Sequence, residues 1–96
     1  MILVVGNFSY EVERFNVSIS YSFDELINRI DVGLKNKNVN LETLSAEIRN
    51  NFTGTVVLKS GSKTYNYTGY NFESIDMNVD SRDVTVSVRF LKNDNE

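Results

Sequence analysis

The sequence predicts an α+β domain: a single-layer antiparallel sheet of four to six strands with two central helices packed on one face, in the order β(β)-α-α-β-β-β-β. Apolar residues recur with a period of two near both ends of the chain and with a helical period in the middle. Short polar turns separate the later segments, and strands joined in this way pair antiparallel. A chain of 96 residues holds one hydrophobic core, so residues 1–92 are predicted to form one domain and residues 93–96 a frayed C-terminal tail.

Alternation of apolar and polar residues predicts strands in the first part of the chain. In residues 15–23 the apolar side chains occupy odd positions, whereas in residues 8–12 they occupy even positions. The parity changes at Glu13-Arg14, which indicates either a bulge or a turn, because a slip of one residue exchanges the two faces of a strand. Gly6-Asn7 is a further predicted hairpin turn.

The middle of the chain has the spacing of helices. Apolar residues at i, i+3, i+4, i+7 and i+11 predict a first helix over about residues 23–35. Ser22 and Glu25 have the spacing of a capping box at its start. A second helix is predicted over residues 41–52, with Asn40 as its N-cap.

The period returns to two after residue 54. Four strands are predicted there, over residues 55–59, 63–70, 72–79 and 84–90. The two helices are expected to cover one face of the sheet. In that arrangement Ile27, Ile30, Leu44 and Ile48 pack against Val17, Ile19, Val86 and Val88.

The amino-acid composition excludes much of the chemistry of enzymes. The chain has no Cys and no His, which rules out a disulfide, a thiolate nucleophile, a histidine base and a zinc site of the usual Cys/His type. Asp76, Asn78 and Asp80 resemble the start of an EF-hand loop, but Ser81 replaces its glycine and the flanks have the pattern of strands. These polar residues are therefore assigned to the solvent face of a strand. No enzyme activity, cofactor or metal is predicted.

Charge and hydropathy limit the partners and the compartment. The formal net charge is −3, and no basic stripe is visible, so direct binding of nucleic acid is not expected. The apolar start, residues 1–5, is too short for a signal peptide, and no run approaches the about 18 apolar residues of a membrane span. The expectation is a cytoplasmic protein that does not bind membranes.

The most distinctive segment, residues 65–72, is rich in aromatic residues. Tyrosine is amphipathic and suits interfaces, so these rings either form a partner surface or pack over the edge of the core. Nearby acidic residues could meet a basic partner. The predicted partner-binding residues are Tyr65, Tyr67, Tyr70, Phe72, Glu73, Asp76 and Asp80.

Residue usage suggests an AT-rich genome, because Asn, Ile, Lys, Phe and Tyr far outnumber Gly, Ala, Arg and Pro. In this general character the chain resembles small orphan proteins of phages and prophages of low-GC Gram-positive bacteria, a class that includes anti-CRISPR inhibitors and small virion parts. No motif carries the resemblance. It implies a non-catalytic protein-binding module, such as a phage-type inhibitor of a host defence factor. The alternative is a phage structural or assembly subunit (tail, head or connector) or a homo-oligomer that pairs exposed strand edges.

Overall fold

The structure is a computed structural model that describes residues 1–94. This part of the chain forms one seven-stranded antiparallel sheet and one helix, and the strand order across the sheet is β5-β4-β1-β2-β3-β7-β6. The elements along the chain are β1 (Ile2–Val5), β2 (Phe8–Ser22), β3 (Glu25–Leu34), α1 (Leu41–Asn51), β4 (Thr55–Ser60), β5 (Lys63–Thr68), β6 (Asn71–Val79) and β7 (Val84–Asp94).

The predicted fold, with two central helices on four to six strands, is wrong. The first predicted helix is the strand β3, which pairs with β2 on one side and with β7 on the other. Its apolar residues satisfy both periods, because Ile30, Val32 and Leu34 alternate while Leu26, Ile30 and Leu34 are four apart. Hydrogen-bonding partners on both edges favour the strand.

Ser22 and Glu25, predicted to be a capping box, instead face each other across a tight turn. They flank the two residues Phe23 and Asp24 of the β2–β3 hairpin, which both have positive φ angles, 50° and 63°. Two central residues of that kind define a type I′ turn. The spacing i, i+3 is common to a capping box and to a two-residue hairpin, so it could not distinguish them.

The second predicted helix is confirmed as α1. The side chain of Asn40 accepts a hydrogen bond from the backbone N–H of Thr43 at 3.0 Å, as predicted for an N-cap. Leu44 and Ile48 are buried against the sheet, which anchors the helix. The strands predicted after it are also confirmed, as β4 to β7.

The parity change at Glu13-Arg14 is a β-bulge within one continuous strand. The register of β2 against β3 shifts between Val12 and Arg14. β2 pairs with β1 over Phe8–Glu11 and with β3 from Val12 onward, so this strand joins the two halves of the sheet. The bulge keeps apolar side chains of both halves on one face.

The sheet curls so that its two edge strands approach each other. In a flat sheet the edge strands β5 and β6 would lie about 29 Å apart. They are joined only by Gly69 and Tyr70, a link that spans at most about 11 Å. The backbone N–H of Tyr70 also donates to the carbonyl of Gly54 at 3.0 Å, which ties this link to the start of β4.

One apolar core lies between the curled sheet and α1. Leu3, Val5, Val12, Ile30, Val32, Leu34, Leu44, Ile48, Val56, Leu58, Tyr70, Val86, Val88 and Phe90 are its buried members. Five of the residues expected to pack together are members of this core, namely Ile30, Leu44, Ile48, Val86 and Val88, but Ile30 lies within the sheet on β3 and not on a covering helix.

Three residues that were predicted to pack in the core lie elsewhere. Val17 and Ile19 are on the core face of β2 but are exposed, because they lie toward the far end of the hairpin. Ile27 has the opposite parity to the buried Ile30 and faces the other side of the sheet. The predicted tail begins at Asn93, although β7 continues to Asp94, and residues 95–96 lie outside the described part of the chain.

Candidate protein-binding surface

Strand β2 has a long edge without a partner strand. β1 covers only the stretch from Phe8 to Glu11, and the last contact on that side is the hydrogen bond from the N–H of Val12 to the carbonyl of Met1. From Glu13 to Ser22, β2 is paired with β3 alone among the described strands. We call residues 15–26, which comprise this part of β2, the turn and the start of β3, the distal hairpin. An open strand edge is a template for another strand.

Apolar side chains become steadily more exposed toward the tip of the distal hairpin. Val17 is at the boundary of exposure, Ile19 is 65% exposed, Tyr21 is 70% exposed and Phe23 is 96% exposed. The three β2 residues Val17, Ile19 and Tyr21 share the face that forms the core farther along the strand, but none of them belongs to the core or to the partly buried residues packed against it. The distal hairpin thus continues the core face into solvent, which is a typical feature of an interaction surface.

The turn at the tip is held in a conformation that phenylalanine rarely adopts. At φ 50°, the Cβ of Phe23 crowds the following carbonyl, so glycine or asparagine usually occupies this position of a type I′ turn. The Tyr21 hydroxyl donates to Oδ1 of Asp24 at 3.0 Å, which holds the turn from one side. Because the Phe23 ring is almost fully exposed, no contact among residues 1–94 accounts for a bulky residue there.

The predicted aromatic residues lie at the junction of β5 and β6, and most of them pack on the core. Tyr70 is buried, its ring meets that of Tyr67 edge-to-face at 6.5 Å, and Nζ of Lys92 lies 5.9 Å from its centroid. Phe72 packs edge-to-face on Phe90 at 6.2 Å. Tyr65 is the most exposed of the four predicted rings. Their predicted contact with a partner is not tested by this placement.

The predicted acidic residues fall into two places. Glu73 lies at a bulge in β6. The pKa of the Arg89 guanidinium is raised, mainly because Arg89 donates a hydrogen bond to Asp31 at 2.9 Å. The negative charges of Asp76 and Glu73 raise it further. Asp80 lies in the β6–β7 turn. Its carboxylate accepts hydrogen bonds from two backbone N–H groups of that turn, both at 2.8 Å, which lowers its pKa. Asp80 thus already has partners within the chain.

A cavity of about 490 Å³ lies between the first part of β2, the end of β3 with the segment that follows it, and α1. On its wall the hydroxyl of Tyr10 donates to the carboxylate of Glu47. Burial, the hydrogen bond and the negative charge of Glu47 raise the pKa of Tyr10, so the phenol stays protonated near neutral pH. This neutral phenol, bound to a carboxylate, connects β2 with α1.

Within residues 1–94, no group of three or more Asp or Glu residues is placed to hold a metal ion. No helix in the same part of the chain is long and apolar enough to cross a membrane. In comparisons with protein-family models, curated proteins and solved structures, no match to this chain was found.

The residues of the distal hairpin were not among the predicted partner-binding residues. Their alternation resembles that of any half-buried strand, and it does not indicate where the covering layer ends. One signal was available: residues 15–22 contain no charged residue, whereas exposed edge strands usually carry one.

Proposed function

We propose that this chain is a non-catalytic protein-binding module whose contact surface is the distal hairpin. The observation that supports this function is the row of exposed apolar side chains along the unpaired backbone of β2. Strand edges of this kind bind by adding a strand from the partner, so that main-chain hydrogen bonds provide affinity and alternate side chains provide specificity. The exposed Phe23 extends the same surface to the tip.

Site-specific photo-crosslinking tests the position of the surface. A photoreactive phenylalanine analogue replaces Tyr21 in one variant and Asn66 in a control variant, because Asn66 is also exposed but lies on β5. After irradiation in the producing cells, protein adducts are expected from position 21 and not from position 66. An absence of adducts at position 21, or equal adducts at both positions, would contradict the proposed surface.

For the biological role, we propose a phage-type inhibitor that binds a host defence factor in the cytoplasm. The support is the composition of the chain and the absence of His and Cys, together with a surface suited to proteins. The test is the plating efficiency of a phage on bacterial strains that each carry one defence system, CRISPR–Cas systems included. The chain is expected to restore plating at least tenfold in one strain, and Ile19→Asp is expected to abolish that effect while Asn66→Asp preserves it. Failure in every strain would overturn the inhibitor role.

An assembly subunit is the second candidate function, and the open edge of β2 favours it. The two roles predict different masses for the particle that the purified protein forms in solution. A ring or filament of many copies would favour the assembly role, and a monomer or dimer would favour the inhibitor.

A further inference from the structure

We propose that two copies of this chain pair antiparallel through the free edges of β2, around a two-fold axis that passes beside Ser18. This proposal rests on the proposed function, because it takes the distal hairpin as the contact surface. A second copy of the chain occupies this surface in the free protein, and a host partner competes with that copy for the same edge.

The hairpin register determines which backbone groups are available for this pairing. In a two-residue hairpin the residues that flank the turn, here Ser22 and Glu25, form a hydrogen-bonded pair, and bonded and non-bonded pairs then alternate along the strands. The even-numbered residues from Asn16 to Ser22 therefore bond to β3. The N–H and C=O groups that point to the open edge belong to Phe15, Val17, Ile19 and Tyr21.

A two-fold axis at Ser18 brings all of these groups together. Phe15 then faces Tyr21 of the second copy and Val17 faces Ile19, and each such pair occurs twice, which gives about eight backbone hydrogen bonds. In this register the apolar faces of both copies lie on the same side of the joined sheet. Aromatic residues meet aromatic ones and β-branched residues meet β-branched ones, which are favourable cross-strand pairs.

The absence of charge favours a second copy as the occupant. Identical strands place identical charges near each other, and like charges opposite each other oppose pairing. Residues 15–22 carry none, and on the other face Ser18 meets Ser18 while Asn16 meets Ser20. The other two edges of the sheet are less suitable. β6 has a bulge and the charged residues Glu73 and Asp76, and β5 is only six residues long.

The symmetry predicts a closed dimer. A two-fold contact uses the same edge of both copies, so no second β2 edge is left for growth. The contact is small compared with stable interfaces, which bury about 1,200–2,000 Å², so the dissociation constant is expected in the micromolar range.

A charge-swap experiment tests the dimer and its register together. In the proposed pairing the two Ser18 side chains are direct neighbours, with Cα atoms about 4.5 Å apart. Sedimentation at low salt and at about 0.5 mM chain is expected to give twice the 11.0 kDa chain mass for the wild type. In a dilution series, Ser18→Lys and Ser18→Asp are each expected to dimerise with a dissociation constant at least tenfold above that of the wild type. An equimolar mixture of the two variants is expected to recover the dimer.

The matched control is Asn66→Lys, which adds the same charge at the β5 edge and is expected to leave the dimer unchanged. Circular dichroism confirms that each variant is folded. A monomeric wild type at 0.5 mM, a dissociation constant unchanged by Ser18→Lys, or a mass that keeps growing with concentration would overturn the two-fold pairing. A mixture no heavier than its separate variants would overturn the register. The proposed function has its own test, because adducts of position 21 with a different protein would support it even if the wild type were monomeric.

Discussion

Replacing Phe23 by glycine is expected to make the protein more stable and, at the same time, a weaker binder. Phe23 has a φ angle of 50° and its side chain is 96% exposed. The substitution removes the crowding of its Cβ and loses no buried contact. The hydrogen bond from Tyr21 to Asp24 does not involve the side chain of Phe23 and should persist.

The expected gain follows from two opposing terms. A residue with a Cβ in the left-handed helical region costs roughly 1–2 kcal/mol, and glycine avoids this cost. Glycine also loses more conformational entropy on folding, by about 0.5–1 kcal/mol. The free energy of unfolding should therefore rise by about 0.5–1 kcal/mol, which corresponds to about 2–8 °C in Tm for a chain of this size.

Phe23→Ala is the matched control, because alanine also removes the ring but keeps the Cβ. Urea unfolding followed by circular dichroism measures both variants, in the Ser18→Lys background so that association does not contribute. Phe23→Gly is expected to be the more stable of the two, while Phe23→Ala stays close to the Phe23 parent. Crosslinking from position 21 is expected to fall in both, because both lack the ring. If Phe23→Gly is no more stable than Phe23→Ala, the turn is not strained and the reasoning from its φ angle fails.

Three further predictions concern the fold. Val86→Asp buries an unpaired charge in the core and should lower the free energy of unfolding, measured by thermal unfolding, by about 3–5 kcal/mol. The same change at the exposed Val79 should lower it by less than about 0.5 kcal/mol. Equal losses would place Val86 outside the core. Gly33→Ala places a Cβ 2.9 Å from Cγ of Arg14 and should lower the free energy of unfolding by about 1–2 kcal/mol. This loss should largely disappear in an Arg14→Ala background. An undiminished loss there would refute the steric cause. The lowered pKa of Asp80 means that its ionised form stabilises the fold above pH about 4, and this contribution disappears as the pH falls through the folded-state pKa. Urea unfolding should therefore show that the stability advantage of the wild type over Asp80→Asn shrinks between pH 6 and pH 2. An advantage that does not vary with pH would contradict a role for the carboxylate charge.

Elements with strong local signals could be predicted from the sequence alone. The N-cap Asn40 and the apolar spacing after it predicted α1, and alternation with polar turns predicted β4 to β7. The parity change at Glu13-Arg14 located the bulge but could not distinguish it from a turn. These signals involve residues within a few positions of each other, so the local backbone expresses them wherever the rest of the chain lies.

The strand β3 shows where local signals end. Its apolar spacing fits a helix as well as a strand, and Ser22 with Glu25 fits a cap as well as a hairpin. β2 and β7 decide between the two by offering hydrogen bonds on both edges of β3, and β7 lies more than fifty residues away along the chain.

The sequence by itself excluded cysteine and histidine chemistry, and it determined the helix α1 and the alternation that places apolar side chains on one face of β2. Composition and local spacing do not depend on distant contacts. Only the tertiary structure decided where that face is covered. The core covers the apolar face of β2 only as far as Phe15, and β1 covers the edge of β2 only through its own four residues. The proposed binding surface is the remainder of a 15-residue strand, and its exposure depends on the lengths and positions of elements far from it in the sequence.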